Sequence, residues 1–231
     1  MCYGHCGAAL ATKRVYVMSN SYEKELERSR VLVYGVAGDT AIKTRIAPIY
    51  TEERLASGQE LYQAAKVASS AQVEERLQSA AATREFNAVK DEIHEGYVKA
   101  RNAARYFFKG NRNVYELLLL DQSIPKAFAE WRKSVTHTFK AIGQMPDIQE
   151  KLTLVGLSPE VVAAYVAKTE KIDDLRLKAE REDGEAQQAS VKKQETFDEL
   201  SAFCIDLREC LNLFYQGNER QALEKVGITV K

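Results

Sequence analysis

The chain has 231 residues, with 33 Lys plus Arg against 33 Asp plus Glu, so its formal net charge is zero. That length supports a packed core without disulfide or metal staples, and the charge balance speaks against a protein built mainly to bind nucleic acid, which needs a basic excess. Twelve Gly, four Pro and 29% charged residues, with abundant Ala, Leu, Glu, Lys and Gln, point to long helices.

The N-terminus, MCYGHCGAALATKRVYVMSN, has no basic segment ahead of an apolar one and makes a poor signal peptide. No apolar run reaches the ~18 residues of a membrane span. The expected setting is cytoplasmic and reducing. Cys2, His5 and Cys6 are weak metal candidates, because a closed zinc site needs a fourth ligand. They read as a tail, or as a thiol crosslink between subunits in an oxidant. Residues 1–50 carry β-leaning runs: Arg14–Met18, Val31–Val36 and Thr40–Ile49. Turn-like Ser19-Asn20-Ser21 and Gly38-Asp39 separate them. The expectation is a β-hairpin or extended arm, although Glu23–Arg30 reads equally as a short helix.

At Thr51 the texture becomes helical. Thr51 is an N-cap candidate followed by two acids. Val89, Ile93, Tyr97, Ala100, Ala104 and Phe107 then recur at helical spacing, giving one buried stripe. Gly110 stops this helix and Asn111 caps the next, Arg112–Leu120. Ser123-Ile124-Pro125 opens a helix through Trp131 that Gly143 ends. A short helix spans Pro146–Leu154, and Gly156 breaks it. Ser158-Pro159-Glu160 starts the last long stretch with a cap, a first-turn proline and an acid. Gly217 stops that stretch, and Asn218 restarts a short helix ending at Gly227; Asn218 and Gln221 have capping-box spacing.

YFFKGN (Tyr106–Asn111) and LFYQGN (Leu213–Asn218) are two copies of this stop and restart. Aligned without a gap, Thr51–Asn111 and Ser158–Asn218 match cap with cap and stop with stop. They also match Glu53 with Glu160, Asp91-Glu92 with Asp198-Glu199 and Phe107 with Phe214. This suggests pseudo-repeats at 51–122 and 158–231, joined by 123–157. LTLVGLS (Leu152–Ser158), LEKVGIT (Leu223–Thr229) and LLLLDQS (Leu117–Ser123) form a shorter echo. Each 60-residue stretch is either one helix of about 90 Å or a hairpin with arms of about 40 Å. Average helix lengths favour the hairpin, with Asp183-Gly184 as its turn in the second copy.

The segments YVKARNAARYFFKGN, LTLVGLSPE and GEAQQAS, over roughly residues 50–231, resemble a group of uncharacterised bacterial all-helical proteins with internally repeated helical units. The resemblance implies a helical fold and carries no activity.

Chemistry-bearing candidates are few. Asp91-x-x-His94 occurs once and its counterpart Asp198-x-x-Ser201 has no histidine, so a ferritin-like di-metal centre is not expected. Cys204 and Cys210 lie about 240° apart on a helix and cannot bridge each other; they read as core filling. Arg101, Arg105, Lys109 and Arg112 form a basic stripe near a helix C-terminus, where the dipole favours cations. Phe107, Phe108, Trp131, Phe214 and Tyr215 read as packing anchors. The expected protein is all-α: an antiparallel helical bundle of pseudo-repeated long-helix units with a β-leaning arm. Its expected role is non-enzymatic and structural. It self-assembles as a homo-oligomer or docks a helical partner, and the arm adds a strand to a neighbour. No cofactor is expected. The alternative is a bundle holding a small ligand or a metal in its core.

Overall fold

The computed structural model describes residues 7–229, with side chains from residue 21 onward. Every regular element among them is helical. They are α1 (Gly7–Gly38), α2 (Thr40–Ile46), α3 (Glu52–Phe107), α4 (Arg112–Leu117), α5 (Phe128–Gln144), α6 (Pro146–Thr153) and α7 (Pro159–Phe214), closed by a 3-10 helix at Gly217–Val226. Among the described residues no helix is long and apolar enough to cross a membrane.

The β-leaning arm is not found. Val31–Val36 lies inside α1 and Thr40–Ile46 is α2. Ser29, Leu32, Val33 and Val36 are buried, as are Ile42 and Ile46. Those spacings trace one face of a helix, not alternate faces of a strand. Val31-Leu32-Val33 is a continuous apolar run, which periodicity alone cannot assign. Burial decides it, and β-branched propensity loses. Asp39, expected in a turn, is instead the cap of α2: its carboxylate accepts from Ala41 N at 3.0 Å and Ile42 N at 3.1 Å. Cys2, His5 and Cys6 lie outside the described residues.

Both long stretches are single helices of 56 residues, so the hairpin expectation fails. Gly184 sits within α7 and does not turn the chain. The helix starts are capped in the same way. Thr51 Oγ1 accepts from Arg54 N at 3.3 Å, and Ser158 Oγ from Val161 N at 3.4 Å. Their stops also match: Gly110 and Gly217 both take left-handed φ, 84° and 55°. The bounds of α3 and α7 differ by 107 residues at each end.

Shorter elements depart from expectation in places. Ser123-Ile124-Pro125 lies ahead of α5, which begins at Phe128 and runs through Gly143 to Gln144. Asn111 is the cap of α4, accepting from Val114 N at 3.3 Å. Asn218, by contrast, lies inside the 3-10 helix, whose cap is Gln216. Three turns close alike, through Leu120 N to Tyr115 O, Leu157 N to Leu152 O, and Ile228 N to Leu223 O. Their left-handed residues are Leu119, Gly156 and Gly227. The third echo is therefore displaced by two residues from the alignment on LLLLDQS, because Leu119 takes the glycine's place.

The chain forms two compact units, one from Met1–Glu75 with Ala186–Lys231, the other from Arg76–Glu185. Each takes one part of α3 and one part of α7. The core of the first gathers Leu32 and Val36, Ile42 and Ile46, Tyr62 and Ala65, and Leu200, Leu207 and Leu211. The core of the second gathers Ile93 and Tyr97, Trp131, Phe139 and Ile142, Leu152, Val162 and Ile172. In the first unit Arg54 pairs with Asp206 at 2.6 Å and Gln72 donates to Ser190 at 3.5 Å. In the second Glu85 pairs with Lys178 at 2.9 Å, and Glu92 with Lys168. Within each unit, partner numbers on α7 fall as those on α3 rise.

Two glycines of α3 permit close approach. A Cβ at Gly58 would lie 2.3 Å from the Phe203 ring, and one at Gly96 would lie 2.4 Å from the Tyr165 ring. Both rings are partly buried against the cores, so either would have to shift to admit a Cβ. The same 107-residue offset that relates the helices carries Gly58 to Tyr165 and Gly96 to Phe203.

Candidate functional site

The basic stripe is broken at its start: Arg105, Lys109 and Arg112 are exposed, but Arg101 is buried. Arg101 is 2% exposed. Its Nη1 donates to Tyr97 Oη at 2.9 Å, and its Nη2 to the carbonyls of Leu120 at 3.2 Å and Gln122 at 2.5 Å. Arg105 Nη2 donates to the same Leu120 carbonyl at 2.5 Å. These carbonyls follow α4, where the strained Leu119 (φ 54°) reverses the chain. Two guanidiniums thus hold a turn whose carbonyls would otherwise lack partners. Lys109 and Arg112 are exposed, and Arg112 pairs with Glu116 at 2.8 Å.

Asp91 and His94 share a groove of about 420 Å³ with Lys90, Pro125 and Phe128. Trp131 Nε1 donates to His94 Nδ1 at 3.2 Å, which places the proton of the neutral ring on Nε2. Among the described residues no Ser, Thr or Cys lines this groove, so none of them offers His94 a hydroxyl or thiol there to activate. Trp131 itself is buried, its ring 5.8 Å from that of Phe128, which in turn lies 5.7 Å from the ring of Phe86. His137 Nε2 lies 2.9 Å from Leu117 O.

The first unit holds a polar cluster, with no local sequence signal, in which a buried tyrosine meets two exposed charged residues. Tyr50, 1% exposed, donates its hydroxyl to the Asp206 carboxylate. Arg54 donates to the same oxygen at 2.6 Å and lies 4.2 Å over the Tyr50 ring. Burial pushes the Tyr50 phenol well above its ordinary pKa, and the hydrogen bond to Asp206 pushes the same way. The phenol is therefore a fixed donor at neutral pH, neither base nor nucleophile. Burial also raises the thiols of Cys204 and Cys210, which disfavours the reactive thiolate.

The other anchors sit as follows. Tyr215 is buried with Arg45 4.3 Å over its ring, while Phe214, Phe107 and Phe108 are partly buried against the cores. A second cleft, of about 520 Å³, opens beside the N-terminal part of α7. Gln149 lines it. Sequence reading missed that residue because a Gln at a buried helical position looks like any surface Gln. The Gly58 and Gly96 contacts were findable: they are the two glycines between Thr51 and Lys109, and the repeat alignment sets each against an aromatic.

No family model matches the chain, and no curated protein or solved structure matches it.

Proposed function

We propose that this is a non-enzymatic helical scaffold that self-associates through faces of its two long helices. In this reading the body is an antiparallel, duplicated bundle. Duplication is supported by the way burial repeats. At the 107-residue offset Leu55 and Val162, Ala65 and Ile172, Ile93 and Leu200, Tyr97 and Cys204, and Ala104 and Leu211 are all buried pairs. At an offset of 106, Val33 and Val36 of α1 correspond to Phe139 and Ile142 of α5, and Ile42 and Ile46 of α2 to Ile148 and Leu152 of α6, again all buried. One extra residue before Leu157 restores the longer offset. The duplicated unit thus extends beyond the long helices to include α1 and α2 against α5 and α6. Antiparallel pairing is supported by the falling α7 partner numbers in each unit.

The observation that carries self-association is a set of aliphatic side chains left in solvent on α3 and α7 after both cores are filled. Val67, Val73 and Val191 in the first unit are 66%, 55% and 59% exposed, and Leu77 and Leu177 in the second are 64% and 63% exposed. Burying one such side chain contributes about 1.5–3 kcal/mol, so a few together support an interface. Light scattering on a dilution series checks this. The mass should exceed that of one chain at high concentration and fall to it on dilution. A single-chain mass at every concentration contradicts the reading.

A further inference from the structure

We propose that the cleft between α5, α6 and the start of α7 is a binding site for a small, uncharged, mostly apolar molecule carrying one N–H or O–H donor. The inference is independent of self-association. The wall is built by Phe139 and Gly143 of α5, Pro146 of α6, and Pro159, Val162 and Val166 of α7. Its volume, about 520 Å³, falls in the range of small-molecule sites. The polar feature is Gln149, which is 9% exposed. Its Nε2 donates to Leu157 O at 2.7 Å. A carbonyl can only accept, so this bond settles which end of the amide is oxygen. That oxygen, Oε1, is buried and has no donor among the described residues. A buried carbonyl without a partner is unfavourable, and a ligand donor would supply one. Lys140 and Gln144 at the cleft are exposed, so their long side chains can shift to admit it. Lys140 is already paired with Glu170 at 3.2 Å, which removes the obvious attraction for an anion.

The corresponding place in the first unit makes the contrast. Gln149 and Pro159 correspond to Lys43 and Glu52, which form an ion pair at 2.6 Å. The ion pair spans that place, whereas its counterpart is an apolar cleft with a lone acceptor.

The test uses the full chain and two isomers of one size, 3-methylindole and 1-methylindole, of which only the first carries an N–H. Titration is followed by calorimetry and by backbone amide shifts of the cleft residues. 3-Methylindole is expected to saturate with shifts at the cleft and to bind at least tenfold more tightly than 1-methylindole. Gln149→Met should bring the two affinities together, and Ala163→Trp, which fills the cleft from an exposed position, should abolish both. Should Gln149→Met fail to fold for want of the Leu157 contact, the isomer pair and Ala163→Trp still decide. No saturable binding of 3-methylindole, equal affinity for the isomers in the wild type, or binding that survives Ala163→Trp overturns the proposal.

Discussion

Gly184 lies in the middle of α7, and a Cβ there would meet nothing within 4 Å. Glycine in a helix interior costs about 1 kcal/mol relative to alanine, so Gly184→Ala should raise unfolding stability by roughly that amount in a urea melt. Tyr50 gives a pH-dependent counterpart. Its folded pKa lies above the unfolded value of about 10, so the folded state holds the proton more tightly. The contribution is intact below pH ~10 and is lost as pH rises toward the folded value. Tyr22 and Tyr62 are shifted by burial in the same direction. Urea melts from pH 8 to 11 should show stability falling above pH ~10, and Tyr50→Phe should flatten that fall. An unchanged slope in Tyr50→Phe would contradict the assignment.

At the scale of the element, α3 and α7 are held together by shape. Gly58 receives Phe203 and Gly96 receives Tyr165, so each glycine of α3 faces an aromatic of α7. Gly58→Ala and Gly96→Ala should each destabilise by about 1–3 kcal/mol through overpacking, the opposite sign to Gly184→Ala. Adding Phe203→Leu to Gly58→Ala should recover part of the loss, a coupling that a merely local helix effect would not show. The boundaries of these helices were legible in the sequence because their signals are local: Thr51 and Ser158 at the starts, Gly110 and Gly217 at the stops. Two things were not. The turn expected at Asp183-Gly184 was an argument from average length, and the Ala-rich helix simply continues through it. The strand expected at Val31–Val36 rested on β-branched propensity, whereas the packing of Leu32, Val33 and Val36 in a core that includes Leu207 and Leu223 is a fact of distant sequence. The cluster of Tyr50, Arg54 and Asp206 was hidden for the same reason: Asp206 lies more than a hundred residues from the other two.

For the whole molecule, the proposed duplication accounts for two cores of similar plan, and the two differ in detail. The first unit keeps an ion pair at Lys43–Glu52 and a cluster around a buried tyrosine, while the second has a buried arginine, a tryptophan beside a histidine, and an open apolar cleft. What the cores leave unused is the aliphatic set on the long helices, and the proposed function rests there. Sedimentation equilibrium on the wild type and on a Val67→Ser, Val73→Ser, Val191→Ser triple variant tests it most directly. All three positions are exposed, so the melting temperature should barely change. The dissociation constant of the oligomer should rise at least tenfold, which is about 1.4 kcal/mol. An oligomer of unchanged affinity in the triple variant, or a wild type that is monomeric throughout, would contradict the account.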